Sequence, residues 1–327
     1  MKKIAINGFG RIGRVLCRIL SEYSDYQVVA INDLAGPKVL SHLLKYDSIH
    51  GRFQGSITYS NNSIFINNHE IIVLNQSQIN HLPWKNMEID VVFECTGRFK
   101  TLEENMLHIN AGAKKVLMSC PSLNTDIPMV VLGVNDEVIN LNDSVISNAS
   151  CTTNCAAPMI KILDDALSLE SGYITTVHSY TSDQNLHDGI HNDLRRARSA
   201  SSSIIPTTTG AAKALSRIFP DLELSGCGIR VPVSNCSLTD ITCLVKKKTD
   251  INQVNNLFKS LGQSSFKDII FYNEDPIVSI DVKSSSYSCI FDSKLTYVTG
   301  NMVKVVGWYD NEFGYCSRLV DLLKKVI

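Results

Sequence analysis

The chain has 327 residues, 44% of them hydrophobic and 19% charged, with 31 Lys and Arg balanced by 32 Asp and Glu. That composition predicts a soluble protein of two domains of ordinary size, and the net charge of −1 argues against nucleic acid as the main partner, since such proteins usually carry a strongly basic face. No apolar run approaches the roughly 20 residues of a spanning helix, and Met1-Lys2-Lys3-Ile4 enters patterned sequence directly, so a cytoplasmic protein without a membrane anchor is expected.

In chain order, Lys3 to Asn7 is a short apolar strand, Gly8 to Gly13 a glycine-punctuated turn, and Ile12, Val15, Leu16, Ile19 and Leu20 fall at helical spacing before a second strand, Val28 to Asn32. Further strands are expected at Val91 to Phe93, Val116 to Met118, Val130 to Leu132 and Val145-Ile146, with helices near 37–46 and 101–112. This alternation predicts a mostly parallel sheet covered by helices over residues 1–150. Beyond it the texture changes. One helix near 158–168 precedes strand-like runs at 173–178, 229–233, 238–245, 277–280, 296–299 and 302–308, which predicts an α+β domain over 151–310 with a mainly antiparallel sheet. Residues 179–203 read as a long loop rich in Ser, Asp, His and Arg, and 311–327 as a helix with one apolar face that docks on a core.

The ten cysteines lie singly apart from Cys151 and Cys155, and no C-x-x-C pair occurs. Reduced thiols and no metal are expected.

Gly8-Phe9-Gly10-Arg11-Ile12-Gly13 follows a strand and opens a helix, and Asp33 ends the next strand 20 residues after Gly13. Position, order and spacing together predict a dinucleotide site. Gly8 permits the tight turn, Gly10 the approach of a pyrophosphate, Gly13 close helix packing, and Asp33 accepts from the adenosine ribose. A carboxylate at 33, followed by Leu34 rather than a cation, favours NAD over NADP.

Ser150-Cys151-Thr152-Thr153 follows a strand and precedes a helix, where helix N–H groups lower a thiol pKa. Pro158 leaves two geometries open: Cys151 lies in a loop before the helix, or the helix begins near 150 with Pro158 inside it. His178 ends an apolar strand and is the candidate base for the thiol. On these residues alone, a Cys–His hydrolase or a non-catalytic nucleotide-binding protein are rival readings.

The runs Ala149 to Cys155, Thr176 to Thr181, Asp193 to Arg198, Ile204 to Lys213 and Trp308 to Tyr315, with Ile6 to Gly13, closely resemble the glyceraldehyde-3-phosphate dehydrogenase family over essentially the whole chain. The resemblance implies a Rossmann-type domain followed by an α+β catalytic domain. It also implies NAD-dependent phosphorylating oxidation of glyceraldehyde 3-phosphate, through a thiohemiacetal and thioester on Cys151 with His178 as base. By motif match it implies Thr181, Asp183 and Arg196 at the substrate phosphate, Ser150, Thr152, Thr209 and Gly210 at the inorganic phosphate, and Arg230 between them. It places Thr96, Gly97, Ser119, Asn311 and Tyr315 along the cofactor, makes 179–203 a loop lining a neighbouring subunit's site in a homotetramer, and returns 311–327 to the nucleotide domain. The chain departs from the family pattern at Phe313, where Trp is usual, and at Gly189-Ile190, where Leu-Pro is common beside the ribose. Cys120-Pro121-Ser122-Leu123-Asn124 is similar to the erythrose-4-phosphate dehydrogenase branch, which makes that activity the alternative.

Overall fold

The computed structural model describes residues 1–327, which divide into two compact units. Met1–Val130, Glu137–Ala149 and Cys316–Ile327 form the first, and Val131–Asp136 with Ser150–Tyr315 the second.

The first unit is built on an eight-stranded sheet. Its strands are β1 (Lys2–Asn7), β2 (Tyr26–Asn32), β3 (Ile57–Tyr59), β4 (Ser63–Ile66), β5 (His69–Leu74), β6 (Val91–Glu94), β7 (Lys115–Met118) and β8 (Val145–Ser147), in the order β3-β4-β5-β2-β1-β6-β7-β8. From β5 to β8 every pairing is parallel. Ile4, Ala5 and Ile6 of β1 and every residue of β6 and β7 are buried, which is why these strands read as unbroken apolar runs rather than alternating ones. Helices α1 (Arg11–Leu20), α2 (Pro37–Lys45), α3 (Trp84–Met87) and α4 (Leu102–Asn110) accompany the sheet. Two glycines set the β1–α1 turn: Gly8 takes φ +90°, and a Cβ on Gly13 would stand 2.2 Å from the Gly8 carbonyl oxygen.

The second unit carries helices α5 (Cys151–Leu167), α6 (Gly210–Ile218) and α7 (Ile251–Gly262), and the strands β9 (Leu169–Ser179), β10 (Ile205–Thr207), β11 (Glu223–Val231), β12 (Ser237–Val245), β13 (Ile270–Asn273), β14 (Cys289–Asp292), β15 (Tyr297–Thr299) and β16 (Met302–Tyr309). Their order is β10-β11-β9-β12-β16-β14-β13, with β15 on β16. Only β9·β11 and β13·β14 are parallel; the other pairings are antiparallel. Helix α5 packs across β9, β12 and β16. Residues 180–204 carry neither helix nor strand. The last helix, α8 (Phe313–Val326), begins in the second unit and has Cys316 onward in the first, where the Cys316 thiol reaches the Ile12 carbonyl at 3.5 Å. No helix is long and apolar enough to cross a membrane.

Three expected elements are corrected. The helix expected near 158–168 begins at Cys151, because the Ser150 hydroxyl accepts from Thr153 N at 3.1 Å and caps it there, leaving Pro158 inside the helix. Val130 to Leu132 is buried but forms no strand; the only ladder contact nearby is a single bridge between Met129 and Ser147. The run at 277–280 is not a strand: its second half lies in a short 3₁₀ turn, Ser279–Val282, and Val278 and Ile280 are exposed.

Candidate active site

Cys151 is the first residue of α5, half-buried itself, and is followed by the buried Thr152, Thr153 and Asn154. The Cys151 Sγ lies 3.5 Å from Nε2 of His178. His178 is the penultimate residue of β9, and the parallel register of β9 with β11 sets it directly beside Arg230. Arg230 Nη1 is 2.7 Å from His178 Nδ1 and donates to the Ser179 carbonyl at 3.0 Å; the same carbonyl is 2.7 Å from Nδ1. With its proton on Nδ1, the imidazole donates to Ser179 and offers the Nε2 lone pair to the thiol. With its proton on Nε2, it accepts from Arg230 and donates to sulfur.

Burial, then the Arg230 cation, pushes His178 down to about 3, so the ring is neutral at physiological pH. Desolvation also raises the Cys151 thiol above its ordinary value, against the pull of Arg230, of the N–H and hydroxyl of Thr152 and of its own N–H. This corrects the expectation of a lowered thiol pKa. The helix terminus is where the sequence puts it, but the packing around the sulfur outweighs it. The resting dyad is therefore a neutral thiol beside a neutral imidazole.

Around this pair the second unit gathers anion donors. Arg196 Nε donates to Thr207 Oγ1 at 3.0 Å, Nη1 to Asp183 Oδ2 at 2.5 Å and Nη2 to the Thr208 carbonyl at 3.2 Å. Asp183 thus orients the guanidinium. Arg196 and Arg230 repel one another, each favouring an anion between them. Thr181 lies partly exposed just past β9. Thr209 caps α6 by accepting from Ala211 N at 3.2 Å, and no atom would meet a Cβ on Gly210 within 4 Å. Ser150 and Thr209 therefore mark two helix N-termini, the natural place for an anion. The Thr152 hydroxyl is different: it is buried and bonded to the Tyr309 hydroxyl at 2.9 Å, beneath the thiol.

Asn311 presents a fixed amide. Its Oδ1 accepts from Ser179 Oγ and Ser237 Oγ, both at 3.0 Å, which fixes the oxygen and leaves the NH₂ as the donor. Tyr315 is buried nearby in sequence.

In the first unit a cavity of about 280 Å³ is lined by Asn7, Gly8, Gly10, Asn32, Asp33 and Thr96, among others. Nothing would meet a Cβ on Gly10 within 4 Å, and no side chain caps α1 at that end, so this turn is open to a phosphate. Asp33 accepts from Phe9 N at 2.8 Å and Ala35 N at 3.0 Å, anchoring its carboxylate at the cavity wall. Phe9 is buried and Ile12 partly so. The Arg11 guanidinium is taken by Asp47 at 2.7 and 3.1 Å, which helps hold that carboxyl down at about 2. Thr96 donates through N–H, at 2.8 Å, and hydroxyl to buried Glu94, Gly97 takes φ +66°, and Ser119 N donates to the Glu94 carbonyl at 2.9 Å. These residues fit a dinucleotide: glycine backbone for the pyrophosphate, a carboxylate for the ribose.

Sequence reasoning missed Thr176, Tyr309 and Glu94. Tyr309 lay inside a quoted motif, and its strand position, in step with buried Val303 and Val305, was a signal that its hydroxyl needs a buried partner. None of the ten cysteines is in a disulfide, and no group of three His, Cys, Asp or Glu is placed to hold a metal ion.

Comparison with known proteins agrees with this geometry. Residues 2–102 match the family model described as "Glyceraldehyde 3-phosphate dehydrogenase, NAD binding domain", and residues 150–311 match "Glyceraldehyde 3-phosphate dehydrogenase, C-terminal domain". The chain is 48% identical to glyceraldehyde-3-phosphate dehydrogenase of Thermotoga maritima, over 100% of this chain and 99% of that protein. It is 47% identical to that of Clostridium acetobutylicum, over 99% and 98%, and 45% identical to glyceraldehyde-3-phosphate dehydrogenase 2 of Bacillus subtilis, over 99% and 96%. A thiol–imidazole pair flanked by two guanidiniums in one unit, a dinucleotide cradle in the other and relatives of this similarity from end to end establish that the chain belongs to the glyceraldehyde-3-phosphate dehydrogenase family.

Proposed function

We propose that the chain catalyses the phosphorylating oxidation of D-glyceraldehyde 3-phosphate to 1,3-bisphosphoglycerate with NAD+ and inorganic phosphate, in the cytoplasm, as a step of glycolysis and gluconeogenesis. The observation that carries this reading is the Cys151 Sγ to His178 Nε2 approach of 3.5 Å at the start of α5, with Arg230 on the other ring nitrogen. Cys151 adds to the aldehyde carbon as its thiol proton passes to Nε2, and His178 gives that proton to the former carbonyl oxygen to complete the thiohemiacetal; the neutral Nε2 then takes the hydroxyl proton as the substrate is oxidised to a thioester. Bound NAD supplies the hydride acceptor. Arg230 and the donors at Ser150, Thr152, Thr209 and Gly210 hold inorganic phosphate for attack on the thioester carbonyl, and Thr181 and Arg196, oriented by Asp183, hold the phosphate of the substrate.

The cofactor lies on the backbone of Gly8, Phe9, Gly10, Arg11, Ile12 and Gly13, with Asp33 at the ribose, Thr96, Gly97 and Ser119 along its length, and Asn311 and Tyr315 serving the carboxamide end. Residues 1–150 act as the NAD-binding domain and 151–310 as the catalytic domain. The chain acts as a homotetramer, in which the exposed Leu186, Ile190, Leu194 and Ile204 of the long loop find cover, and 311–327 belongs functionally to the nucleotide domain. The test is NADH formation from glyceraldehyde 3-phosphate and NAD with and without inorganic phosphate, with erythrose 4-phosphate in parallel. Phosphate-dependent turnover of the triose supports the reading. Preference for the tetrose assigns the sister activity, and no reduction of NAD with either aldehyde refutes both.

A further inference from the structure

At the carboxyl ends of β2, β1 and β6 the register sets Asn32, Asn7 and Glu94 on one rung of the sheet, at the wall of the first-unit cavity that Asn7, Asn32 and Thr96 line. The rung is polar but buried, with Asn32, Asn7 and Glu94 only 6%, 2% and 0% exposed. Asn32 Nδ2 donates to Asn7 Oδ1 at 2.7 Å, and Asn7 Nδ2 donates to Glu94 Oε2 at 2.6 Å. From α4, His108 Nε2 stands 3.3 Å from the same Oε2, and Trp84 Nε1 of α3 donates to His108 Nδ1 at 2.9 Å. Thr96 gives Glu94 Oε1 its N–H, at 2.8 Å, and its hydroxyl. His108 and Trp84 are wholly buried.

Both ends of this chain of bonds stop at groups that cannot reverse. The Gln76 N–H donates to Asn32 Oδ1 and the Gln76 carbonyl accepts from Asn32 Nδ2, each at 2.9 Å, which fixes the Asn32 amide; Asn7 must then turn its oxygen to Asn32 and its nitrogen to Glu94. At the other end an indole N–H can only donate, so His108 Nδ1 is bare and the ring carries its proton on Nε2, facing the carboxylate. Asn7, His108 and Thr96 all donate to Glu94, which fills the four acceptor positions of a carboxylate. We propose that Glu94, with His108 as its fixed donor, is a positioning residue for the dinucleotide: it holds Asn7 and Thr96 in the cavity wall without touching the cofactor. The hold extends to the glycine turn, since a Cβ on Gly8 would stand 2.7 Å from Thr96 N, so the turn packs on backbone that Glu94 anchors. The inference rests on this cavity being the NAD site.

A neutral amide at position 94 cannot accept everywhere. Turned toward Asn7 and His108, its NH₂ meets two donors that cannot reverse; turned toward Thr96, it meets one, and displaces the wall there. The test is NAD affinity by calorimetry, with Asp33→Ala in parallel. Glu94→Gln weakens NAD about tenfold, the worth of a charged acceptor, while iodoacetamide labelling of Cys151 in the second unit is unchanged. His108→Leu, which fills the space without a donor, weakens NAD about fivefold alone and less than about twofold in the Glu94→Gln background, because a bare lone pair costs a charged oxygen more than an amide oxygen. A residue that only packs costs the same in both backgrounds. Long-range proton–nitrogen spectra of protein labelled in its histidine rings, assigned with His108→Leu, show His108 protonated on Nε2, with that proton shifted upfield in Glu94→Gln. The tautomer and the His108→Leu loss are read without Glu94→Gln, should that variant not fold. The proposal is overturned by a ring protonated on Nδ1, by NAD affinity that His108→Leu leaves unchanged or lowers equally in both backgrounds, or by Glu94→Gln binding NAD normally while Asp33→Ala does not. Normal NAD binding in Asp33→Ala and Glu94→Gln alike overturns the reading of the cavity and the proposal with it.

Discussion

Replacing Arg230 by glutamine tests the electrostatics of the dyad most directly. The guanidinium Nη1 stands 2.7 Å from His178 Nδ1, which puts the two charge centres roughly 4 Å apart; two unit charges at that distance repel by about 4 kcal/mol at an effective dielectric of 20. That is a ceiling. His178 falls from 6.5 to about 3, and burial contributes more to the fall than Arg230 does, so removal of the cation returns about one to two pH units. The imidazole then takes up its proton at mildly acidic pH instead of near pH 3. Cys151 moves too: it loses the largest of the effects that hold its thiol down, so its thiolate becomes scarcer at neutral pH. Both consequences are measurable without turnover. Long-range proton–nitrogen correlation spectra of protein labelled in its histidine rings, with His178→Asn as the assignment control, follow the ring from pH 4 to 8. Iodoacetamide labelling of Cys151 at pH 7 follows the thiol. In Arg230→Gln the ring begins to titrate above pH 4 and labelling slows. A ring that stays neutral down to pH 4 in the variant, or labelling that accelerates, refutes the assignment of Arg230 as the cation that opposes imidazolium and favours thiolate.

Cys151→Ser removes phosphate-dependent NADH formation while leaving NAD affinity, measured by calorimetry, within about twofold; joint loss of both would mean structural damage rather than loss of a nucleophile. Asp33→Ala weakens NAD roughly tenfold and narrows the preference over NADP, since a charged acceptor is worth about 1.5–3 kcal/mol to its partner; unchanged selectivity in competition binding removes Asp33 from the ribose. Gly13→Ala brings a Cβ to 2.2 Å from the Gly8 carbonyl oxygen, so the turn must shift and NAD affinity falls at least tenfold or so, while Cys151 labelling in the second unit is retained. Stability falls with acid. His178 and Asp47 both hold fewer protons when folded than unfolded, so their contributions are lost as pH drops, from 6.5 toward 3 for His178 and from 3.8 toward 2 for Asp47. Urea midpoints decline from pH 7 to 4, and His178→Gln flattens the decline.

How much of the fold the chain announced depended on burial. Strands covered on both faces, such as β1, β6 and β7, appear as continuous apolar runs, and the β1–α1 turn is marked by its glycines. The β3–β5 meander was passed over because its strands are short and half exposed, although Asn67 and Asn68, at φ 49° and 69°, are the residues a two-residue hairpin turn demands. Helix α7 buries only Val254 and Phe258 among Asn, Gln and Lys, too thin a stripe to read with confidence against a loop. Conversely, Val130 to Leu132 is apolar because it is buried, and burial alone does not supply a ladder.

The site was legible in its residue types and not in its energetics. A cysteine after a capping serine, a histidine at a strand end and an arginine two strands along are sequence facts, and the register of β9 with β11 turns the last two into neighbours. What sequence does not carry is the solvent each group loses. Counting only donors near Cys151 predicts a depressed thiol, because helix N–H groups and a guanidinium both favour sulfur's negative charge. The structure adds the opposing quantity: the sulfur and the imidazole are packed among buried groups, and the cation that helps the thiolate stands against the imidazolium. An anion placed between Arg230 and Arg196 offsets the charge that opposes His178 protonation, so the groups that bind phosphate and the groups that move the proton are one electrostatic unit, and a change in either is expected to appear in the titration of the other.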